Sequence, residues 1–464
     1  MIFSSIPFLF FFFPCVIILY FIAPKKLKNT VLMLVSLVFY AWDRPKLALL
    51  MISAIVLGYI FGLLIEKAQS PKIKKLFMIM SVASSLGMLG LFKYTDFFIS
   101  TANSVTGLGI PLTGILLPVG ISFYTFQILS YTIDVYRGDV AAQKNPINLA
   151  AYVAMFPQLI AGPIVRYSDI EKQLRERMHT FDKAAQGIRR LVLGLGKKIL
   201  IANSLGELCD IFRASDDKSV MFFWLYAIAF TLHIYFDFSG YSDMAIGMGK
   251  IFGFDFHENF DHPYVSGSVT EFWRRWHMSL GTWFRDYVYI PLGGNRVSKI
   301  KWFRNIFIVW FLTGFWHGAS WNFIVWGLFF AVFLVLEKLW LMKVLNKTKV
   351  IKHIYVMFLV IISFVIFNAT DMTEAAQYIG AMFGWGNYSA VSAEFFYYLR
   401  SYSFVIVLAI IGATTVPKKI FTKISEKYEK LFNIAEPVVL TAMMIVMTAY
   451  LVDGSFNPFL YFRF

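Results

Sequence analysis

A polytopic, all-α membrane protein is what this sequence predicts, on three observations. Apolar residues make up 58% of the 464 and charged residues only 15%, whereas a soluble domain carries about a quarter charged. The apolar residues gather into repeated long runs with few or no charges. The basic residues, which give a net charge of +15, fall in short clusters between those runs. That placement suits loops that fix membrane orientation rather than a nucleic-acid-binding face.

The first run, Ile6–Ala23, has no basic residues before it and no small-residue cleavage site before Lys25 and Lys26. It reads as a retained span, not a signal peptide. Further runs are Val31–Ala41, Leu47–Ile65, Leu76–Phe92, Ile115–Ile133, Ala150–Val165, Val220–Phe236, Ile306–Leu336, Ile354–Phe367, Phe404–Val416 and Val438–Val452. Several are shorter than the roughly 20 residues a perpendicular helix needs, so about ten or eleven crossings are expected, with broken or re-entrant helices mid-chain. The stretch Ser100–Gly114 reads as an external loop.

The clusters Lys25–Lys28, Lys72–Lys75, Arg166–Arg190, Lys338–Lys352 and Lys418–Lys430 place those loops in the cytoplasm and the N-terminus outside. No repeat or flexible linker interrupts the pattern, so one membrane domain is expected over residues 1–464. Cys15 and Cys209 are too few for a disulfide framework or a thiolate metal site. No bound cofactor and no metal site is expected, and HExxH and GxSxG are absent.

Polarity concentrates between Gly253 and Asn305. Ser268 and Glu271 read as a capping box opening a helix. Phe272, Trp273, Trp276, Leu280, Trp283, Phe284 and Tyr287 then fill an arc of about 120°, with Glu271, Arg274, Arg275, Thr282, Arg285 and Asp286 opposite. The expected element is one amphipathic helix, interfacial or beside a polar cavity. His277 falls about 20° past the apolar edge, where a packing role and a catalytic role are both open.

His317 is the second polar centre and the lone ionisable group between Ile306 and Leu336. A helix begun at Ile306 carries it about 16 Å inward, near the middle of a ~30 Å hydrocarbon layer. An imidazole there needs a partner or a watered cavity, which marks a functional candidate. Packing is the competing role, with Gly314 and Gly318 as a small-residue contact face. Ser320 and Asn322 supply local hydrogen bonds. Asp237 and Asp243 suit capping and hydrogen-bonding roles, with cation or proton binding the alternative, and Pro291–Arg296 suits a turn carrying a basic residue.

At this point the sequence resembles the membrane-bound O-acyltransferase family, in its bacterial alginate and peptidoglycan O-acetylation branch. The matching stretches are Leu117–Phe126, Phe156–Ile164, Phe236–Asp243, Phe272–Leu280 and Phe315–Gly318, in order along most of the chain. The resemblance implies a ring of helices around a central tunnel. It also implies that His317, of the Trp-His-Gly motif, is the principal catalytic residue and His277, of the Trp-His-x-Ser motif, the second essential one. The closing Asn457–Phe464 also looks like the alginate branch.

The activity so implied is acetyl transfer from a cytoplasmic thioester, acetyl-CoA or an acylated carrier protein, to a hydroxyl of an extracytoplasmic polysaccharide. A secreted or membrane-anchored acetyltransferase partner fits that scheme, in the inner membrane of a bacterial cell. His317 would act as general base, with His277, Trp316 or freed backbone amides facing the oxyanion. Trp316, Asn322, Trp273, Arg274, Arg275 and Arg296 are candidate substrate-binding residues, the arginines for phosphates of the donor. The alternatives are D-alanyl transfer to teichoic acid and a proton-coupled transporter using His317 and Asp237.

Overall fold

The computed structural model describes residues 1–42, 44–160 and 162–453, and among these every regular element is helical. Seven helices are long and apolar enough to cross a membrane: Pro45–Lys67, Pro71–Thr106, Val220–Ile251, Trp321–Leu345, Ile351–Asn368, Ala393–Gly412 and Glu429–Val452. The remaining apolar runs form shorter pieces. Pro7–Ile22 is one, and the run beginning at Ala150 divides into Pro146–Ala154 and Phe156–Leu159 around Met155. The Asn457–Phe464 stretch lies outside the described residues.

The chain separates into two compact units. The first comprises residues 1–191 and 244–257. Its helices Pro45–Lys67, Pro71–Leu89 and Pro146–Ala154 each open on proline. There the fixed φ suits the first turn and the missing N–H has no partner to lose. Gly58 and Gly62 let Pro45–Lys67 approach Ile128 and Tyr131 of the helix Ile121–Arg137, leaving no space for a Cβ at either position. The expected loop over Ser100–Gly114 starts later, because the helix runs to Thr106 and stops at Gly107 with φ of 72°.

The second unit comprises residues 192–243 and 258–464. Its core is aromatic, with Phe230, Phe272, Trp276, Trp326, Phe330, Phe364 and Phe367 among its buried members. Two features position the polar centres. Lys299–His317 and Trp321–Leu336 form a tight helical hairpin with Gly314 against the backbone of Phe323 and Gly327 against that of Trp310. The stretch Val269–Phe284 is anchored by Glu337, whose buried carboxylate accepts from the Val269 and Thr270 N–H groups at 2.6 and 2.9 Å. Those are first-turn donors with no intrahelical partner, and a negative charge at this helix end is favourable.

Candidate active site

The single amphipathic helix expected through Ser268–Tyr287 is instead two helices, Val269–Arg275 and Met278–Phe284, with a break at His277. Ser268 caps the first as expected, its Oγ accepting from the Glu271 N–H at 3.0 Å. The Glu271 carboxylate accepts from Gly267 instead of from Ser268 itself, at 2.9 Å. His277 sits in the left-handed region with φ 46° and ψ 53°, a conformation uncommon outside glycine and asparagine.

Asn259 holds that turn. Its carbonyl accepts from the Met278 N–H at 2.9 Å. Its side-chain Oδ1 accepts from the Ser279 N–H at 3.3 Å and the Ser279 hydroxyl at 2.9 Å, and lies 3.1 Å from His277 Nδ1. Its Nδ2 donates to Ser242 Oγ at 3.0 Å. Strain at a functional position persists where the surroundings over-determine it, and four hydrogen bonds do so here.

The break turns His277 inward. Its side chain is buried, at 1% exposure, instead of lying at the border of an apolar arc. The Phe238 ring meets it edge-on at 4.8 Å between centroids, and Trp316 lies 6.1 Å away. Among the described residues, Nε2 is buried with no hydrogen-bond partner. Burial pushes the imidazole down to about 3, so it is neutral at any ordinary pH.

His317 ends the first arm of the hairpin, and Gly318 continues in extended backbone. It too is buried, in an aromatic box of Trp316, Trp326 and Phe367 with centroids at 5.1, 5.0 and 5.4 Å. Trp316 is therefore a ring neighbour of both histidines. The His317 imidazole, inside an aromatic enclosure, can accept and return a proton with water held back. Among the described residues, no group of three or more His, Cys, Asp or Glu side chains is placed to hold a metal ion.

A family model described as MBOAT, membrane-bound O-acyltransferase, matches residues 140–376, just over half of the chain and inclusive of both histidines. The chain belongs to the membrane-bound O-acyltransferase family. It is 44% identical over 395 residues to a probable alginate O-acetylase AlgI of Azotobacter vinelandii, covering 84% of this chain and 79% of that one. A peptidoglycan O-acetyltransferase of Helicobacter pylori is 34% identical over 371 residues, 73% of this chain and 70% of that one. A teichoic acid D-alanyltransferase of Bacillus subtilis is 30% identical over a shorter 227 residues, 46% and 57% of the two chains. The protein is thus a multi-pass membrane O-acyltransferase.

The other residues singled out from the sequence of this acyltransferase fall in different places. Trp273 packs on Trp310, Trp326 and Phe330 at 4.7, 5.5 and 4.8 Å. Asn322 is buried, and its Nδ2 donates to the carbonyls of Ile366, Phe367 and Ala369 at 3.3, 3.3 and 2.9 Å, capping the end of Ile351–Asn368. Arg275 pairs with Glu271 at 3.0 Å and Asp261 at 3.3 Å, while Arg274 and Arg296 are exposed. The acids flagged near Val220–Ile251 are both in ion pairs, Asp237 with Lys198 at 2.6 Å and Asp243 with Lys197 at 2.7 Å. Asn259 was not singled out from sequence, and Ser242 and Ser279 entered only as members of the matched stretches Phe236–Asp243 and Phe272–Leu280. The signal for them was the polar stretch itself, which does not say which amide turns toward which histidine.

Proposed function

We propose that this O-acyltransferase moves an acetyl group from a thioester donor, acetyl-CoA or an acylated carrier protein, to hydroxyls of a cell-envelope polysaccharide. The observation that carries the reading is the pair of buried histidines around Trp316, in a chain whose relatives include a probable alginate O-acetylase and a peptidoglycan O-acetyltransferase. His317 serves as general base: it takes the proton of the attacking hydroxyl as the C–O bond forms. It returns that proton to the departing thiolate as the C–S bond breaks, a contribution of typically ~10²–10⁴-fold. N–H groups stabilise the oxyanion between these steps.

D-alanyl transfer is the second reading within the same chemistry. The lower identity and coverage of the D-alanyltransferase relative put it behind acetyl transfer. A transporter reading needs Asp237 as a proton carrier, and its 2.6 Å pair with Lys198, both side chains 2% exposed, supports a structural role for that carboxylate instead. Labelled acetyl-CoA supplied to proteoliposomes of the purified protein, with an envelope polysaccharide present, tests the proposal. Label is expected in base-labile esters on the polymer without an imposed gradient. Labelling from an alanylated carrier instead would replace the acetyl reading, and dependence on a proton gradient would favour transport.

The donor side of this scheme is the cytoplasmic face of a bacterial inner membrane, and transfer to the polymer is direct, with a secreted or membrane-anchored acetyltransferase as the alternative route. The clusters Lys72–Lys75 and Lys418–Lys430 support that orientation through the positive-inside tendency. Single cysteines placed in those loops are expected to resist a membrane-impermeant maleimide in intact cells and to react after permeabilisation. Reaction from outside at a Lys418–Lys430 position reverses the orientation.

A further inference from the structure

The hydrogen bonds around Asn259 fix more than the backbone turn at His277. The Ser279 backbone N–H has no role but donor, so the Asn259 atom it meets at 3.3 Å is the amide oxygen. The other amide atom donates to Ser242 Oγ at 3.0 Å, which agrees with that orientation. His277 Nδ1 lies 3.1 Å from the same oxygen. Two acceptors at that distance repel, so Nδ1 carries the hydrogen and donates it. In a neutral imidazole the second nitrogen then bears a lone pair and no hydrogen. Among the described residues that nitrogen, Nε2, is buried without a hydrogen-bond partner. Its ring contacts are Phe238 and Trp316, and an acceptor left unpaired in such surroundings is costly.

We infer that Asn259 is a positioning residue that locks His277 in its Nδ1–H tautomer, so that Nε2 accepts a hydrogen bond from a hydroxyl of the acyl acceptor. The inference rests on the proposed transfer to a polysaccharide. A sugar unit carries several hydroxyls, so one other than the hydroxyl that is acylated is available to donate to His277 and orient the ring. The assignment removes His277 from the candidates for oxyanion donor, because a bare Nε2 has nothing to donate. The oxyanion then depends on N–H groups such as the Trp316 indole or backbone amides.

The tautomer is measurable without activity. In purified full-length protein labelled with ¹⁵N at its seven histidines, the His277 signals are assigned by their loss in His277→Gln. Nδ1 is expected protonated and Nε2 unprotonated at neutral pH, and an Nε2–H tautomer in the wild type overturns the inference outright. Asn259→Asp keeps the shape but sets a carboxylate against Nδ1–H, which favours the imidazolium. The acidic limb of the pH profile of kcat/KM for the acceptor should then move to higher pH. Asn259→Leu should lower kcat/KM for the acceptor by on the order of tenfold. A folded Asn259→Asp variant with a wild-type pH profile refutes the role. If either variant fails to fold, the wild-type spectrum decides alone. A protein that transfers no acetyl group yet shows the expected tautomer separates failure of the functional reading from failure of this one.

Discussion

His317→Gln is expected to lower acetyl transfer by about two orders of magnitude or more while leaving the protein folded. Glutamine has similar reach and keeps both donor and acceptor groups, so hydrogen bonds made by the imidazole can be partly replaced. It cannot take up a proton near neutrality. A packing role therefore predicts near-normal turnover, and a base predicts a collapse in turnover with an intact fold. The surroundings sharpen the contrast: the Trp316, Trp326 and Phe367 rings enclose this position, so bulk water is a poor substitute base. Acetyl transfer by purified His317→Gln, with its thermal midpoint and size-exclusion profile beside those of the wild type, is the measurement. Turnover within a few-fold of wild type in a folded sample excludes general-base catalysis by His317.

The two histidines were legible to different depths. His317 stood out because it is the lone ionisable side chain in a long apolar run, and that observation survives folding: it is buried and ends a helix. His277 was legible by type but not by placement. Helical periodicity carries straight through Trp276 and His277, so the sequence predicts an unbroken helix. The left-handed turn comes from Asn259, 18 residues earlier in the chain, through tertiary hydrogen bonds that leave no periodic trace.

The same limit explains the reading of Asn322 and Arg275. Their nearness to the His317 and His277 motifs suggests substrate contact. In the folded chain the Asn322 amide donates to three carbonyls at a helix end, and the Arg275 guanidinium meets Glu271 and Asp261. A sequence shows which polar groups are present and not which have partners: the Asn322 Nδ2 is used in this way, while among the described residues its Oδ1 is buried without a partner. Helix existence was the easiest feature to read, since a long apolar run in a bilayer has little choice but to satisfy its own backbone. Breaks were located only roughly, as with the helix that continues to Thr106.

Gly327→Val is expected to be the most damaging change away from the histidines. A Cβ at Gly327 is directed at the Trp310 carbonyl oxygen and lies 3.1 Å from both Cα and N of Gly314. All of these are backbone atoms, so no side-chain rotation relieves the contact and the two arms of the hairpin must separate. Overpacking of that kind costs about 1–3 kcal/mol or more, and in a bilayer small residues are what permit such close helix contact. The damage reaches the site, because Gly314 lies one turn before His317 on the same helix, and a displacement of ~1 Å at a reacting group costs on the order of 10² in rate. Gly281→Ala provides the contrast: its nearest non-local neighbour to a new Cβ is the Trp273 carbonyl at 3.8 Å, an ordinary contact. Alanine within a helix gains roughly 0.5–1 kcal/mol over glycine, so that variant should equal or exceed the wild type in thermal midpoint. Thermal unfolding in detergent, followed by acetyl transfer on whatever remains folded, compares the two. A Gly327→Val protein with a wild-type midpoint and full activity would mean that the hairpin is not held by this glycine contact.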